Sequence, residues 1–230
     1  METITFKRYF LVSGGSGGIG SAVCMRLASK GFLPIVGYNT NKEIAEKVAI
    51  DAGGFALELN LSNHASISNA VNLIQKKLKN GDFLSGVILC ASPPPDLFPF
   101  SQLSSKHFLD QFEINVLGPK ILLTYLIKNF FKKQKKGQII GVLSNAIGTN
   151  KKSAATGMGA YIVGKSSMQS LLSVCIAEYP WLDIATVSPS FTDTKMLKVF
   201  DERYIELVAK KEKILDPDDV AGIIINEIIA

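Results

Sequence analysis

The sequence predicts a doubly wound α/β fold: a parallel sheet covered by helices on both faces, in a single domain spanning residues 1–230. Three observations predict it. Short apolar runs of strand length alternate with segments whose apolar residues recur every three or four positions. The strand runs are mainly apolar, as strands buried on both faces are. Glycines follow the helical segments as terminators. The strands fall at 9–12, 32–38, 55–59, 83–90, 138–143 and 182–187. Between them lie helices at 18–29, 42–52, 66–78, 104–131 and 161–178, with Gly31, Gly53, Gly81 and Gly137 after four of them. A last helix opens at Asp216, an N-cap residue followed by Pro217 at the first helical position, and runs towards Ile229.

Composition narrows the function classes. Hydrophobic residues at 47% and charged residues at 20% describe a globular chain and exclude a disordered one. The longest apolar stretches, 138–144 and 222–230, are too short to cross a bilayer, so no membrane partner is expected. Lys7 and Arg8 precede only four apolar residues, too few for a signal-peptide core, which points to the cytoplasm. Cys24, Cys90 and Cys175 are odd in number, far apart and set among apolar residues, so they read as reduced packing residues. Two histidines, His64 and His107, do not make a metal site. The net charge of +5 comes from basic residues spread along the chain apart from 132–136, which argues against nucleic acid.

Directly after the first strand stands Ser13-Gly14-Gly15-Ser16-Gly17-Gly18-Ile19-Gly20, followed by a helix. Glycines let backbone amides approach a pyrophosphate, and the helix presents free N–H groups and its positive end to the anion. The glycines at 14, 18 and 20 depart from the ordinary dinucleotide fingerprint. Their spacing resembles that of the short-chain dehydrogenase/reductase family, which has a Rossmann-type fold. The resemblance covers 13–196 and is nearest to the 3-oxoacyl-(acyl-carrier-protein) reductase type. It implies that Gly14, Gly15, Ser16, Gly17, Gly18, Ile19 and Gly20 bind the cofactor.

The resemblance also implies a Tyr-x-x-x-Lys pair, and Tyr161 and Lys165 supply it. Tyr38 and Lys42 share the spacing but stand at the end of the second strand, where the family has no catalytic pair. Tyr161 opens a helix, and residues i and i+4 share a helix face. An ammonium near a phenol lowers the phenol's pKa and makes it a better proton donor to a developing alkoxide, so Tyr161 is expected as general acid. Lys165 is expected to hold the nicotinamide ribose as well. Ser144 matches the family's catalytic serine and would hydrogen-bond the substrate carbonyl oxygen. Asn115 matches the family's helix asparagine, which anchors a water in the proton relay. Taken singly, these four read as a buried tyrosine, a helix-surface lysine, a loop serine and a polar helix residue. Their joint occurrence in the family's order is what points to catalysis.

The remaining cofactor positions follow from the same resemblance. Asn39 and Thr40 after the second strand, with Tyr38 where an acidic residue would select NAD and Lys42 nearby, leave an uncharged pocket that tolerates a 2′-phosphate. NADP(H) is therefore expected over NAD(H). Asn60 and Leu61 would hold adenine. Cys90 and Ala91 stand within Leu89-Cys90-Ala91-Ser92, where the family usually has Asn-Asn-Ala-Gly, so backbone contacts remain and side-chain ones are lost. Pro189, Thr192, Thr194 and Met196 fit the segment that covers the cofactor. The stretch from Ser144 to Tyr161, with Lys151, Lys152 and Gly157, reads as an enlarged, mobile loop.

The expected activity is reduction of a ketone to a secondary alcohol, on a small molecule or an acyl thioester of fatty-acid or polyketide metabolism. A weakly catalytic NADP(H)-binding regulator is the alternative. The lysines at 132, 133, 135 and 136 suit a helix C-terminus and also an acidic acyl-carrier protein. The prolines of 92–100 stiffen a loop whose Phe98 and Phe100 are expected to favour an apolar or aromatic substrate portion. A homodimer or homotetramer is expected. The chain stops at Ala230 before the family's last strand, which weakens the tetramer expectation.

Overall fold

The computed structural model describes residues 6–149 and 151–228. Strands β1 (Arg8–Ser13), β2 (Leu33–Tyr38), β3 (Phe55–Glu58), β4 (Phe83–Leu89), β5 (Gln138–Val142) and β6 (Asp183–Val187) form one sheet in the order β3-β2-β1-β4-β5-β6. Every pairing is parallel. Each strand lies within one residue of its predicted bounds at either end. The inner strands β1, β2, β4 and β5, buried on both faces, leave mainly apolar runs in the sequence. Successive side chains point to opposite faces. Tyr9, Leu11, Ile35, Val87 and Ile139 therefore enter one core, while Phe10, Val12, Val36, Ile88 and Ile140 enter the other.

Helices α1 (Gly18–Ser29) and α2 (Lys42–Asp51) contribute to the second core, and α3 (His64–Lys77) closes the first. Helix α3 starts two residues before the predicted Ser66 because Asn63 caps it, its side chain accepting from the Ser66 N–H at 3.0 Å. The predicted helix 104–131 is a broken rod: α4 (Ser105–Phe112), a π-helical turn (Glu113–Leu117), α5 (Gly118–Leu126), a second π-helical turn (Ile127–Phe131) and α6 (Lys132–Gln134). Pro119 is one reason for the first break. It has no N–H to donate to the Asn115 carbonyl four residues back, and its ring would collide with that carbonyl in a regular helix.

Helix α7 (Gly159–Glu178) crosses back to β6, whose exit leads to a short 3₁₀ turn (Lys195–Val199), α8 (Glu202–Ala209) and α9 (Pro217–Asn226). The 3₁₀ turn and α8 have no counterpart among the predicted elements. Asp201 caps α8 by accepting from Arg203 N–H at 2.9 Å. The segment is tied down by Asp193 N–H to Leu215 O at 2.9 Å and Leu215 N–H to Phe191 O at 2.8 Å. Helix α9 starts as expected on Asp216 and Pro217 and ends at Asn226; the expected terminus at Ile229 lies outside the described residues. Among the described residues no helix is long and apolar enough to cross a membrane.

Strand order reverses between β1 and β4, and the crevice outside the carboxyl ends of strands at such a switch point is where open α/β sheets bind ligands. Ser13, Leu89, Val142 and Val187 are the last residues of the strands that open there.

Candidate active site

The turn after β1 is built by contacts that only glycine permits. Gly14 has φ +67°, and the Gly15 N–H donates to Gly37 O at 2.8 Å. A Cβ on Gly20 would stand 2.2 Å from the Gly14 carbonyl oxygen, and one on Gly18 would stand 2.5 Å from Thr194 Cγ2. The glycine turn and the segment after β6 thus converge on the start of α1. That start, at Gly17, carries no side-chain cap and no acidic residue in its first turn. Free N–H groups and an unopposed positive helix end fit a pyrophosphate. We expect Gly20→Ala, which pushes the Gly14–Gly15 backbone outward, to weaken NAD(P)H binding about tenfold or more in a fluorescence titration. An unchanged Kd would show that this turn does not hold the cofactor.

Ser144, two residues past the end of β5, is positioned by an extension of the β5–β6 pairing: Leu143 N–H donates to Val187 O at 2.8 Å and Asn145 N–H to Pro189 O at 2.9 Å. Its hydroxyl accepts from Ala146 N–H at 3.1 Å. Tyr161 and Lys165 lie one turn apart on α7 and are 8% and 2% exposed. Lys165 Nζ donates to the Val142 carbonyl at 2.8 Å and stands 5.9 Å from the centre of the Tyr161 ring. Burial pulls the Lys165 ammonium down to about 8, with the neighbouring Cys90 acting in the opposite sense. Burial pushes the Cys90 thiol up to about 12, opposed by Lys165. The Tyr161 phenol is raised by burial, against a lowering contribution from hydrogen bonding with Ser144. This corrects the expectation of a lowered phenol: with both groups buried, the loss of hydration of a phenolate outweighs what its neighbours return.

Ser144, Tyr161, Lys165, Ile19, Cys90, Pro189, Thr192, Thr194 and Met196 all line one cavity of about 400 Å³. Gly14, Gly15, Ser16, Gly17, Gly18 and Gly20 lie beyond its wall in the turn already described. Asn39 and Thr40 are exposed past the end of β2, and Leu61 is buried behind β3. The Asn60 side-chain oxygen accepts from Ser62 N–H and hydroxyl at 3.0 and 2.8 Å. Ala91 N–H donates to the Ser13 hydroxyl at 3.3 Å, holding the β4 exit against β1. Asn115 is fully buried in the first π-helical turn, outside the cavity lining.

One expectation about the surrounding loops needs correction. Phe98 and Phe100 do not line the cavity. Phe98 stacks on His107 with centroids 5.3 Å apart, and Phe100 is 81% exposed. The aromatic lining comes instead from Phe191, Phe200 and Tyr204, a cluster with centroids 5.5–6.1 Å apart on the segment around α8. Sequence reasoning passed over that segment for want of a long periodic run. In the stretch between Ser144 and Tyr161, Thr149 and Lys152 form an antiparallel bridge, Ala155 N–H donates to Ala146 O at 2.9 Å, and Phe98 N–H donates to Gly157 O at 3.1 Å. Among the described residues no group of three His, Cys, Asp or Glu side chains is placed to hold a metal.

Comparison with known proteins agrees with this fold. The short chain dehydrogenase family model matches residues 8–204. The chain is similar to a benzil reductase ((S)-benzoin forming) of Bacillus cereus, at 26% identity over 95% of this chain and 93% of the relative. It is also similar to a 3-oxoacyl-[acyl-carrier-protein] reductase of Bos taurus, at 28% over 91% and 86%. Among solved structures, a 3-ketoacyl-(acyl-carrier-protein) reductase from Brucella melitensis complexed with NADH shares the fold. Its TM-score is 0.80 at 20% identity, covering 94% of this chain and 88% of that one.

Proposed function

Since the chain belongs to the short chain dehydrogenase family, we propose that it is an NADPH-dependent reductase that converts a ketone to a secondary alcohol. One observation carries the reading. Ser144, Tyr161 and Lys165 meet on a single cavity with Ile19 of the glycine turn and Thr194 of the covering segment.

The glycine turn and the start of α1 would hold the pyrophosphate, Thr192 and Thr194 would cover the nicotinamide, and Lys165 would hold its ribose. When bound, the reduced nicotinamide supplies hydride to the carbonyl carbon. The chain's own groups handle the oxygen. Ser144 donates a hydrogen bond to the carbonyl oxygen as negative charge develops there. Tyr161, whose raised pKa keeps it protonated at neutral pH, transfers its proton to the same oxygen. The Lys165 ammonium stabilises the phenolate this leaves. Asn115, in its π-helical turn behind the pair, anchors the water that returns the proton.

The cofactor preference rests on the end of β2. Asn39 and Thr40 are exposed and neutral, and Lys42 is held only loosely by Glu46 at 3.7 Å, so a cation remains for a 2′-phosphate. The cavity walls supplied by Phe191, Leu197, Phe200 and Leu207 favour a substrate with an apolar arm. Both 3-oxoacyl thioesters and aryl ketones meet that description. Acyl-carrier protein stays a candidate partner through the exposed Lys132, Lys133, Lys135 and Lys136 at the end of the broken rod. Leu117, Val163 and Val174, about half exposed on α7 and the rod, support a homodimer.

The test is cofactor oxidation with β-ketoacyl thioesters, diketones and aryl ketones, each run with NADPH and NADH. We expect turnover on at least one class, with kcat/KM for NADPH at least about tenfold higher. A tenfold advantage for NADH would overturn the cofactor assignment. Tight cofactor binding without turnover on any class would favour the regulator.

A further inference from the structure

The loop leaving β4 contains Pro93, Pro94 and Pro95 in succession, three residues without a backbone N–H. Their only main-chain polar groups are acceptors. The Pro94 carbonyl accepts from Gln111 Nε2 at 2.8 Å. Gln111, in the last turn of α4, is 1% exposed. An amide that turns its NH2 to one side turns its oxygen to the other, and Gln111 Oε1 accepts from Asn115 Nδ2 at 3.0 Å. Asn115 Nδ2 spends its second hydrogen on the Gln111 main-chain carbonyl, also at 3.0 Å. Asn115 Oδ1 is thereby turned away, buried and without a partner among the described residues.

The sense of this chain of amides follows from its first member. A proline carbonyl cannot become a donor, so flipping Gln111 would set oxygen against oxygen at Pro94 and NH2 against NH2 at Asn115. The chain also joins the parts of the site. Ser92 before the prolines and Pro95, the last of them, line the cavity. On α7, a Cβ at Gly164 would stand 3.2 Å from Gln111 Cβ and 3.3 Å from Asn115 Nδ2, so the residue beside Lys165 is pressed onto the same pair. A buried polar residue on an otherwise amphipathic helix is costly unless it is fully bonded, and Gln111 is bonded at both ends of its amide.

We propose that Gln111 is a positioning residue: it passes the polarity of the Pro94 carbonyl to Asn115, holds the Asn115 oxygen inward as an unshared acceptor for a buried proton donor, and couples the loop 92–99 to the proton relay. Its kinetic consequence rests on the reductase reading, whereas the orientation of Asn115 does not. Two measurements separate them.

In 15N-labelled wild-type protein the Asn115 side-chain NH2 pair, assigned by its loss in Asn115→Leu, is expected to exchange slowly with solvent and to lose that protection in Gln111→Met. A fast-exchanging Asn115 pair in folded wild-type protein would overturn the proposal whatever the activity. In the assay, Gln111→Met is expected to lower kcat about ten- to a hundredfold with little change in KM or cofactor Kd. In an Asn115→Leu background it should cost nothing further. An equal loss in both backgrounds, accompanied by a lower Tm, would mark Gln111 as structural only and overturn the role assigned to it. Absence of turnover in the wild type would count against the reductase reading and leave the exchange result to decide this one.

Discussion

Tyr161→Phe is expected to lower kcat/KM for ketone reduction by about 10²- to 10⁴-fold, the range for losing a positioned proton donor, while cofactor affinity is largely kept. The substitution removes one oxygen from a ring that is 8% exposed and leaves the packing of α7 in place, so Tm should change little. The direction of the pKa shift adds a second part to this expectation. Burial raises the phenol, so at neutral pH Tyr161 carries the proton that reduction consumes. Alcohol oxidation needs the phenolate, and its rate should climb with pH over a range where reduction is flat or falling. Rates of both directions from pH 6 to 10, wild type against Tyr161→Phe, read the two parts together. Wild-type turnover in the variant would remove Tyr161 from the chemistry. Loss of cofactor binding in the variant would mean that the residue holds the pocket and does not act as acid.

The sheet was legible because its inner strands β1, β2, β4 and β5 are buried on both faces and carry mainly apolar runs. Ser144, Tyr161 and Lys165 were singled out by the resemblance to the family's ordered motifs and not by any one residue's spacing, and the structure brings all three to one cavity. The parts that sequence reasoning did not reach have other causes. The segment around α8 reads as loop because its apolar residues face the cavity and not the sheet. Phe98 and Phe100 looked like pocket residues from their place after β4, yet Phe98 is drawn onto His107 and Phe100 out to solvent. Pro119 was the visible signal for the break beside Asn115, since a proline inside a helical period forfeits the bond to the fourth carbonyl back. Gln111 gave no signal at all. A glutamine on a helix reads as surface until the Pro94 carbonyl, 17 residues away, is folded against it. The expected acidity of Tyr161 failed for a related reason: spacing shows that Lys165 is near, but not that both groups are dry.

That dryness makes Lys165 the source of the second large expected effect. Its ammonium is pulled down to about 8 in the folded chain, against an ordinary lysine value of about 10.4. Between those two values the unfolded chain holds a proton that the folded chain has released. Folding stability therefore rises with pH across that window, and below about 8 the cost of burying the charge is paid in full. Lys165→Met fills the same space without the charge. The Tm of wild type minus that of Lys165→Met, for the protein without cofactor, should increase steadily from pH 7.5 to 10. A difference that stays constant would show that Lys165 is hydrated and ordinary. Activity should move the other way. Loss of the Lys165 charge removes the group that stabilises the Tyr161 phenolate, so kcat/KM for reduction, which reports the free enzyme, should fall as pH rises through about 8. Lys165→Met should lose turnover at every pH, and cofactor affinity with it, because the same ammonium is assigned to the ribose. That joint loss distinguishes Lys165 from Tyr161, whose removal is expected to spare binding.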